Sequence, residues 1–288
     1  MKATAPSYIL SFTCHSASGQ VARFSALLES QGCYIDELAV FDDAVSQRFF
    51  VRCVFHPQTE VFDPARLNQG MRDMGSHYQD LRWQLQDRRE QARVMIMVSK
   101  LDHCLNDLLY RQKMGDLDMT VTAVVSNHRD LAPIAETYGL PFHHLPLDPA
   151  NKAEQEAALL ALIEETGSEL VILARYMQVL TSATCARLSG RAINIHHSFL
   201  PGFKGARPYL QAHERGVKLI GATAHYITDD LDEGPIIEQV VDRVDHAYTP
   251  EDLQATGRDM ECQALARAVR YHLERRVFLN DNRTVVLR

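Results

Sequence analysis

The sequence predicts an α/β chain in two parts: a small α+β module over residues 1–90, then a larger, mostly parallel sheet flanked by helices over residues 91–288. Three observations carry this reading. Up to about residue 81, short alternating apolar stretches are interleaved with two amphipathic patterns in the order β-α-β-β-α. The segment WQLQDRREQA (83–92) is polar and charged, as a boundary between domains would be. From RVMIMVS (93–99) onward, near-continuous apolar runs alternate with helical patterns. That rhythm belongs to right-handed β-α-β crossovers and to strands covered on both faces.

Tyr8, Leu10 and Phe12 alternate as a strand does. Val21, Phe24, Leu27 and Leu28 follow helical spacing, and Gly32 ends that helix. Two strands are expected at 36–42 and 47–55, joined by the polar turn Asp42–Ser46, and then a helix marked by Leu67, Met71, Met74, Tyr78 and Leu81. In the second part the strands are 93–99, 119–126, 142–147, 169–174 and 192–196. The intervening helices carry Leu101, Leu105, Leu108 and Leu109, then span 130–138, 152–166 and 181–188. Residues 219–228 and 235–244 look like a later antiparallel pair, a helix covers 250–273, and VFLNDNRTVVL closes as a hairpin.

Composition excludes several classes. A 46% hydrophobic content builds a real core. A net charge of −7 without a basic block disfavours non-specific nucleic-acid binding. No window approaches the ~18 apolar residues that span a bilayer, and the N-terminus lacks the apolar run of a signal peptide. Six dispersed cysteines form no C-x-x-C pair, so neither a disulfide framework nor a zinc site is expected. A cytoplasmic location follows as the expectation.

The chemistry concentrates in AINIHHSFLPGFKGARPY (192–209). Ligands of parallel sheets bind beyond the carboxyl ends of the strands. Asn194 and His196 are two apart on such a strand, so they project together, whereas His197 points away or begins the loop. An Asn amide can donate to a developing oxyanion, and a His can transfer protons near neutral pH. The imidazole needs a carboxylate partner to fix its orientation. TDDLDEGP (228–235) offers Asp229, Asp230, Asp232 and Glu233, and spacing does not choose among them.

NIHHSFLPGFKGARPY together with AHYITDDLDEGPII resembles the folate-dependent formyltransferase superfamily. HCLNDLL (103–109), VVSNH (124–128), LARYMQVL (173–180) and GVKLIGATAHY (216–226) extend the resemblance, over nearly the whole chain, to its formyltetrahydrofolate deformylase branch. The resemblance implies a Rossmann-like catalytic domain behind a ferredoxin-like ACT-type module. It selects Asp232 as the partner of Asn194 and His196. It places the folate pocket at Met177, Gln178, Val179 and Leu180 and at Thr228, Asp229, Asp230 and Leu231. The implied reaction is hydrolysis of 10-formyltetrahydrofolate to tetrahydrofolate and formate, without a metal or other cofactor, in balance with one-carbon supply for purine synthesis. His197 would position the hydrolytic water; the alternative is a loop residue bonded to backbone. Lys204 and Arg207 either meet the glutamate tail or formate, or are surface charges.

The transformylase relatives that use a nucleotide amine carry a Gly-rich phosphate loop after their first catalytic strand. VSKLDHCLNDLL (98–109) has no glycine there, so water is the expected nucleophile. Transfer to an amine acceptor, or a non-catalytic folate-binding regulator, are the competing functions. The front module would pair in a homo-oligomer, a dimer or tetramer, and bind glycine or methionine as effector. Its first loop, CHSASG (14–19), lacks the acidic residue such a site normally has.

Overall fold

A computed structural model describes residues 6–58, 62–148, 151–200, 202 and 208–288. The chain divides into two compact units. The first holds Met1–Gln91 with Glu274–Asn280 and Val285–Arg288; the second holds Ala92–Leu273 with Asp281–Thr284.

The first unit runs β1 (Tyr8–His15), α1 (Gln20–Ser30), β2 (Cys33–Asp43), β3 (Arg48–Pro57), α2 (Pro64–Gly75) and β4 (Arg82–Asp87). Its sheet is antiparallel in the order β2-β3-β1-β4. Alternation on β1 and β3 sends Tyr8, Leu10, Phe12, Val51, Cys53 and Phe55 to one face. Phe24 and Leu28 of α1 and Leu67, Met71 and Met74 of α2 close that core at helical spacing. Asp63 caps α2 by accepting from the Ala65 amide at 2.8 Å, with Pro64 in the first turn.

Three expectations change here. Residues 82–87 form a strand rather than a linker: Trp83 and Leu85 pack on the core while their neighbours are polar, so an edge strand reads as hydrophilic. The second helix stops at Gly75, and Tyr78 and Leu81 join the core from the following turn. The C-terminal stretch clusters with the first unit, although the sequence assigned everything after residue 91 to the second. Phe278 and Leu287 are buried with Phe50, and the Arg52 Nε donates to the Glu274 carbonyl at 2.7 Å.

The second unit continues with β5 (Ala92–Val98), α3 (His103–Met114), β6 (Met119–Ser126), α4 (Ala132–Thr137), β7 (Phe142–His144), α5 (Lys152–Glu165), β8 (Leu170–Leu173), α6 (Ser182–Arg187) and β9 (Ala192–His196). Then follow α7 (Pro208–Glu214), β10 (Leu219–Tyr226), β11 (Ile236–Arg243) and α8 (Pro250–Leu273). The hairpin β12 (Val277–Asn280) and β13 (Arg283–Val286) ends the chain. Helix α7 is not legible in the sequence, because it is only seven residues long and begins in the last two residues of the loop-like, Pro- and Gly-bearing motif.

The seven-stranded sheet has the order β11-β10-β9-β8-β5-β6-β7. Strands β7, β6, β5, β8 and β9 are parallel, whereas β10 and β11 run antiparallel at one edge. Central β5 is buried from Val94 to Val98, as its unbroken apolar run predicts. The chain builds outward from β5 through β6 to β7, then returns to lay β8 on the other side of β5. That reversal opens a crevice at the carboxyl ends of the strands. Among the described residues, no helix is long and apolar enough to cross a membrane.

Candidate active site

The crevice is a cavity of about 780 Å³, a size that suits a substrate of cofactor dimensions. Its walls come from the residues that follow β5 and β8, from the end of β9, from the turn between β10 and β11, and from α8.

Asn194 and His196 both line this cavity, as their two-residue spacing requires. The antiparallel register of β9 and β10 sets His225 opposite Asn194 and Thr223 opposite His196. The His225 Nδ1 lies 2.8 Å from the Tyr226 carbonyl, which can only accept, so Nδ1 carries a proton. In neutral His225 the Nε2 then accepts from the Asn194 amide nitrogen, 3.3 Å away. Thr223 donates to the Ser198 carbonyl at 2.9 Å and accepts from the Leu200 amide at 3.1 Å, which fastens the chain leaving His197.

Of the four carboxylates in the turn, Asp232 is the one that reaches the imidazole. Its Oδ2 lies 3.1 Å from the His196 Nδ1 and its Oδ1 lies 3.7 Å from the His225 Nε2. Asp229, Asp230 and Glu233 are exposed. Asp232 has φ 57°, in the left-handed region that Asp tolerates better than most side chains. Gly234 makes the turn possible: a methyl there would strike the Tyr226 carbonyl oxygen. Burial pushes the Asp232 carboxyl up, but the imidazoles of His196 and His225 beside it outweigh that and hold it well below the usual carboxylate range. Asp232 is therefore an anion at neutral pH. Among the described residues, the buried His196 Nε2 has no hydrogen-bond partner.

His197 follows at the strand end, with its ring 5.0 Å from that of His196 and 6.3 Å from that of Tyr209. Burial, then the Arg175 charge and His196, push it down to about 4, so it is a neutral imidazole at physiological pH. Lys204 and Arg207 lie outside the described residues.

Met177, Gln178, Val179, Leu180, Thr228, Asp229, Asp230 and Leu231 all line the cavity. Met177, Val179 and Leu231 are 51–60% exposed, an apolar rim at its mouth, whereas Leu180 belongs to the core beneath. The loop after β8 is tied at three points. Ser99 accepts from the Met177 amide at 3.1 Å, and Gln155 donates to the Tyr176 hydroxyl at 3.0 Å. Buried Glu156 accepts from the Thr181 amide at 2.9 Å and from the hydroxyls of Thr181 and Thr184.

Sequence reasoning missed His225, for which the only signal was its place at a strand end beside the acidic turn. It also missed a second polar cluster on the cavity wall, drawn from four segments. Glu261 of α8 accepts at Oε1 from the Tyr209 hydroxyl at 3.0 Å, and its Oε2 lies 2.8 Å from the His103 Nε2 and 3.4 Å from the Arg175 Nε. Gly257, one turn earlier on α8, leaves room for the Tyr209 ring. The expectation that no His/Cys cluster offers a metal site needs amending. His103, Cys104 and Glu261 each bring one ligand atom within 4.8 Å of the others. Those donors are already committed: His103 is bonded to Glu261, and a hydrogen bond with Cys262, together with burial, keeps the Cys104 thiol protonated.

Comparison with known proteins agrees with this architecture. Residues 92–269 match the formyl transferase family. The chain is 50% identical over 281 residues to the formyltetrahydrofolate deformylase of Corynebacterium sp. (strain P-1), covering 98% of each sequence. It superposes on the crystal structure of the formyltetrahydrofolate deformylase of Burkholderia mallei ATCC 23344 with a TM-score of 0.94 and 58% identity, covering 98% of this chain and 100% of that one. Glycinamide ribonucleotide transformylase 1 from Symbiobacterium toebii is more distant, with a TM-score of 0.65 and 30% identity over 70% of this chain and 97% of that one. A likeness that spans both units at this identity places the chain in the formyltetrahydrofolate deformylase family, within the formyl transferases.

Proposed function

We propose that the protein hydrolyses 10-formyltetrahydrofolate to tetrahydrofolate and formate, releasing formate to the one-carbon pool that feeds purine synthesis. The observation that carries the reading is the convergence of Asn194, His196 and Asp232 from two separate segments on the wall of one cavity. Water adds to the formyl carbon. The Asn194 amide and a protonated His196 stabilise the oxyanion, with Nε2 of His196 as the free donor. Asp232, ionised throughout the neutral range, holds the ring at Nδ1. Collapse breaks the carbon–N10 bond, N10 takes a proton and formate departs. Neutral His197 can accept from the attacking water without competing for the proton that His196 carries.

The apolar rim of Met177, Val179 and Leu231 supports a flat pterin held between side chains, with the backbone of 228–231 and Gln178 at its edge. The reaction needs no metal. The first unit is read as an ACT-type module over residues 1–90 that pairs copies of the chain and takes glycine or methionine as effector, in front of a catalytic domain over 91–288. Its β-α-β-β-α-β order and antiparallel sheet support that assignment. A cytoplasmic location fits the six free cysteines.

The test is to mix the protein with 10-formyltetrahydrofolate and no amine, and to follow tetrahydrofolate and formate, with and without glycine and methionine. Equimolar release of both products is expected. Turnover only after an amine is added would make the protein a transferase, and no turnover would make it a binding regulator. Asn194→Ala and His196→Ala should each lower kcat by about 10²–10³; variants that hydrolyse as fast as the parent would remove the site assignment.

A further inference from the structure

We infer that Arg175 is the carboxylate-binding group of the cavity, the place where the formate ion is received before it leaves. This rests on the hydrolytic reading above. Arg175 follows β8 at the carboxyl edge of the sheet and has φ 65°. A non-glycine residue in that region is strained, and such strain persists where the surrounding structure holds it for use.

Among the described residues, two of the three Arg175 guanidinium nitrogens find no hydrogen-bond partner. Its side chain is 10% exposed, and both Nε and Nη1 are buried without a hydrogen-bond partner. Glu261 is the nearest counter-charge, but its short contacts are with His103 and Tyr209, and the Arg175 Nε stands off at 3.4 Å. A permanently charged group with unspent donors in a buried place is costly unless an acceptor arrives. Among the described residues of the second unit, the buried side-chain atoms without a partner belong to Arg175 and His196, and both residues line the same cavity.

Charge and shape name the ligand. The described cavity wall carries Asp229, Asp230, Asp232, Glu251 and Glu261, against two fixed cations, Arg175 and Arg258. Arg258 is exposed, so Arg175 is the buried one. The substrate's formyl group is neutral. Hydrolysis adds one water oxygen, breaks the carbon–N10 bond, leaves one proton on N10 and one in solvent, and yields a monoanion with two oxygens. That anion is made next to the Asp232 carboxylate, which repels it. A planar guanidinium fork matches two carboxylate oxygens in a way that a single imidazole donor does not.

The probe is sodium [13C]formate, titrated into the resting protein and followed by NMR line broadening, without folate. The parent should bind formate. Arg175→Gln should weaken binding about tenfold or more, and Arg175→Lys, which keeps the charge and loses the fork, by a smaller factor. Glu261→Gln should tighten it several-fold by removing the nearby carboxylate charge that repels formate. No binding by the parent, binding by Arg175→Gln within twofold of the parent, or weakening by Glu261→Gln would each overturn the inference. Should Arg175→Gln fail to fold, the parent, Arg175→Lys and Glu261→Gln decide. Hydrolysis without Arg175-dependent formate binding sinks this inference alone; Arg175-dependent binding in a protein that does not hydrolyse sinks the functional reading alone.

Discussion

His197 should make the second unit sensitive to acid in a calculable way. Burial, Arg175 and His196 hold its ring at about 4, against roughly 6.5 for an unfolded chain. A base whose folded value is depressed is protonated first in the unfolded state. Its stabilising contribution is therefore complete above about pH 6.5 and is lost progressively as pH falls toward 4. Two and a half units at about 1.36 kcal/mol each would give about 3 kcal/mol in full, of which about 2 kcal/mol is gone at pH 5. The perturbation is His197→Asn, which keeps a polar group and cannot titrate. Native-state hydrogen exchange at the β9 amides, measured for parent and variant at pH 7.5 and pH 5, reports the strand that carries the residue. The parent should lose about 2 kcal/mol more than the variant between the two conditions. Equal losses would refute the claim that His197 is kept neutral by its surroundings. The comparison is made within each protein, so any loss of packing in the variant cancels.

Two further changes probe the supports of the cavity. Glu156→Gln replaces the carboxylate that accepts from the Thr181 amide and the Thr181 and Thr184 hydroxyls, and should loosen the loop 177–181; steady-state kinetics are expected to show KM rising by about tenfold with a smaller change in kcat, on the scale of one lost charge-assisted bond. Gly234→Ala drives a methyl into the Tyr226 carbonyl, two residues from Asp232, and should lower both the melting temperature and kcat; an active variant with the parent's melting temperature would show that the turn can shift freely. Asp232→Gly relieves φ 57° but deletes the carboxylate that holds His196, whereas Asp232→Ala deletes it and keeps the strain, so hydrolysis should collapse in both while thermal melting falls less in the Gly variant.

What the sequence determined by itself is what depends on neighbours along the chain. The unbroken apolar run of β5 announces a strand buried on both faces, and the two-residue spacing of Asn194 and His196 puts them on one side of β9. The alternation of strands and helices after residue 92 implies a parallel sheet and, with it, the edge where a ligand binds. The tertiary structure decided whatever depends on which segments meet. Four carboxylates in 228–235 look alike to spacing, and the left-handed bend at Asp232 chooses one by turning it to 3.1 Å from the His196 ring. His225 gains its place from the register that pairs β10 with β9, and Glu261 bonds to His103 and Tyr209 and faces Arg175, from three other segments. The strand β4 reads as a linker for a related reason: an edge strand shows half its residues to water, and only its pairing with β1 identifies it. Periodicity records how a residue sits on its own element; which residue lies across from it is fixed by strand order and loop geometry, and no local pattern encodes those.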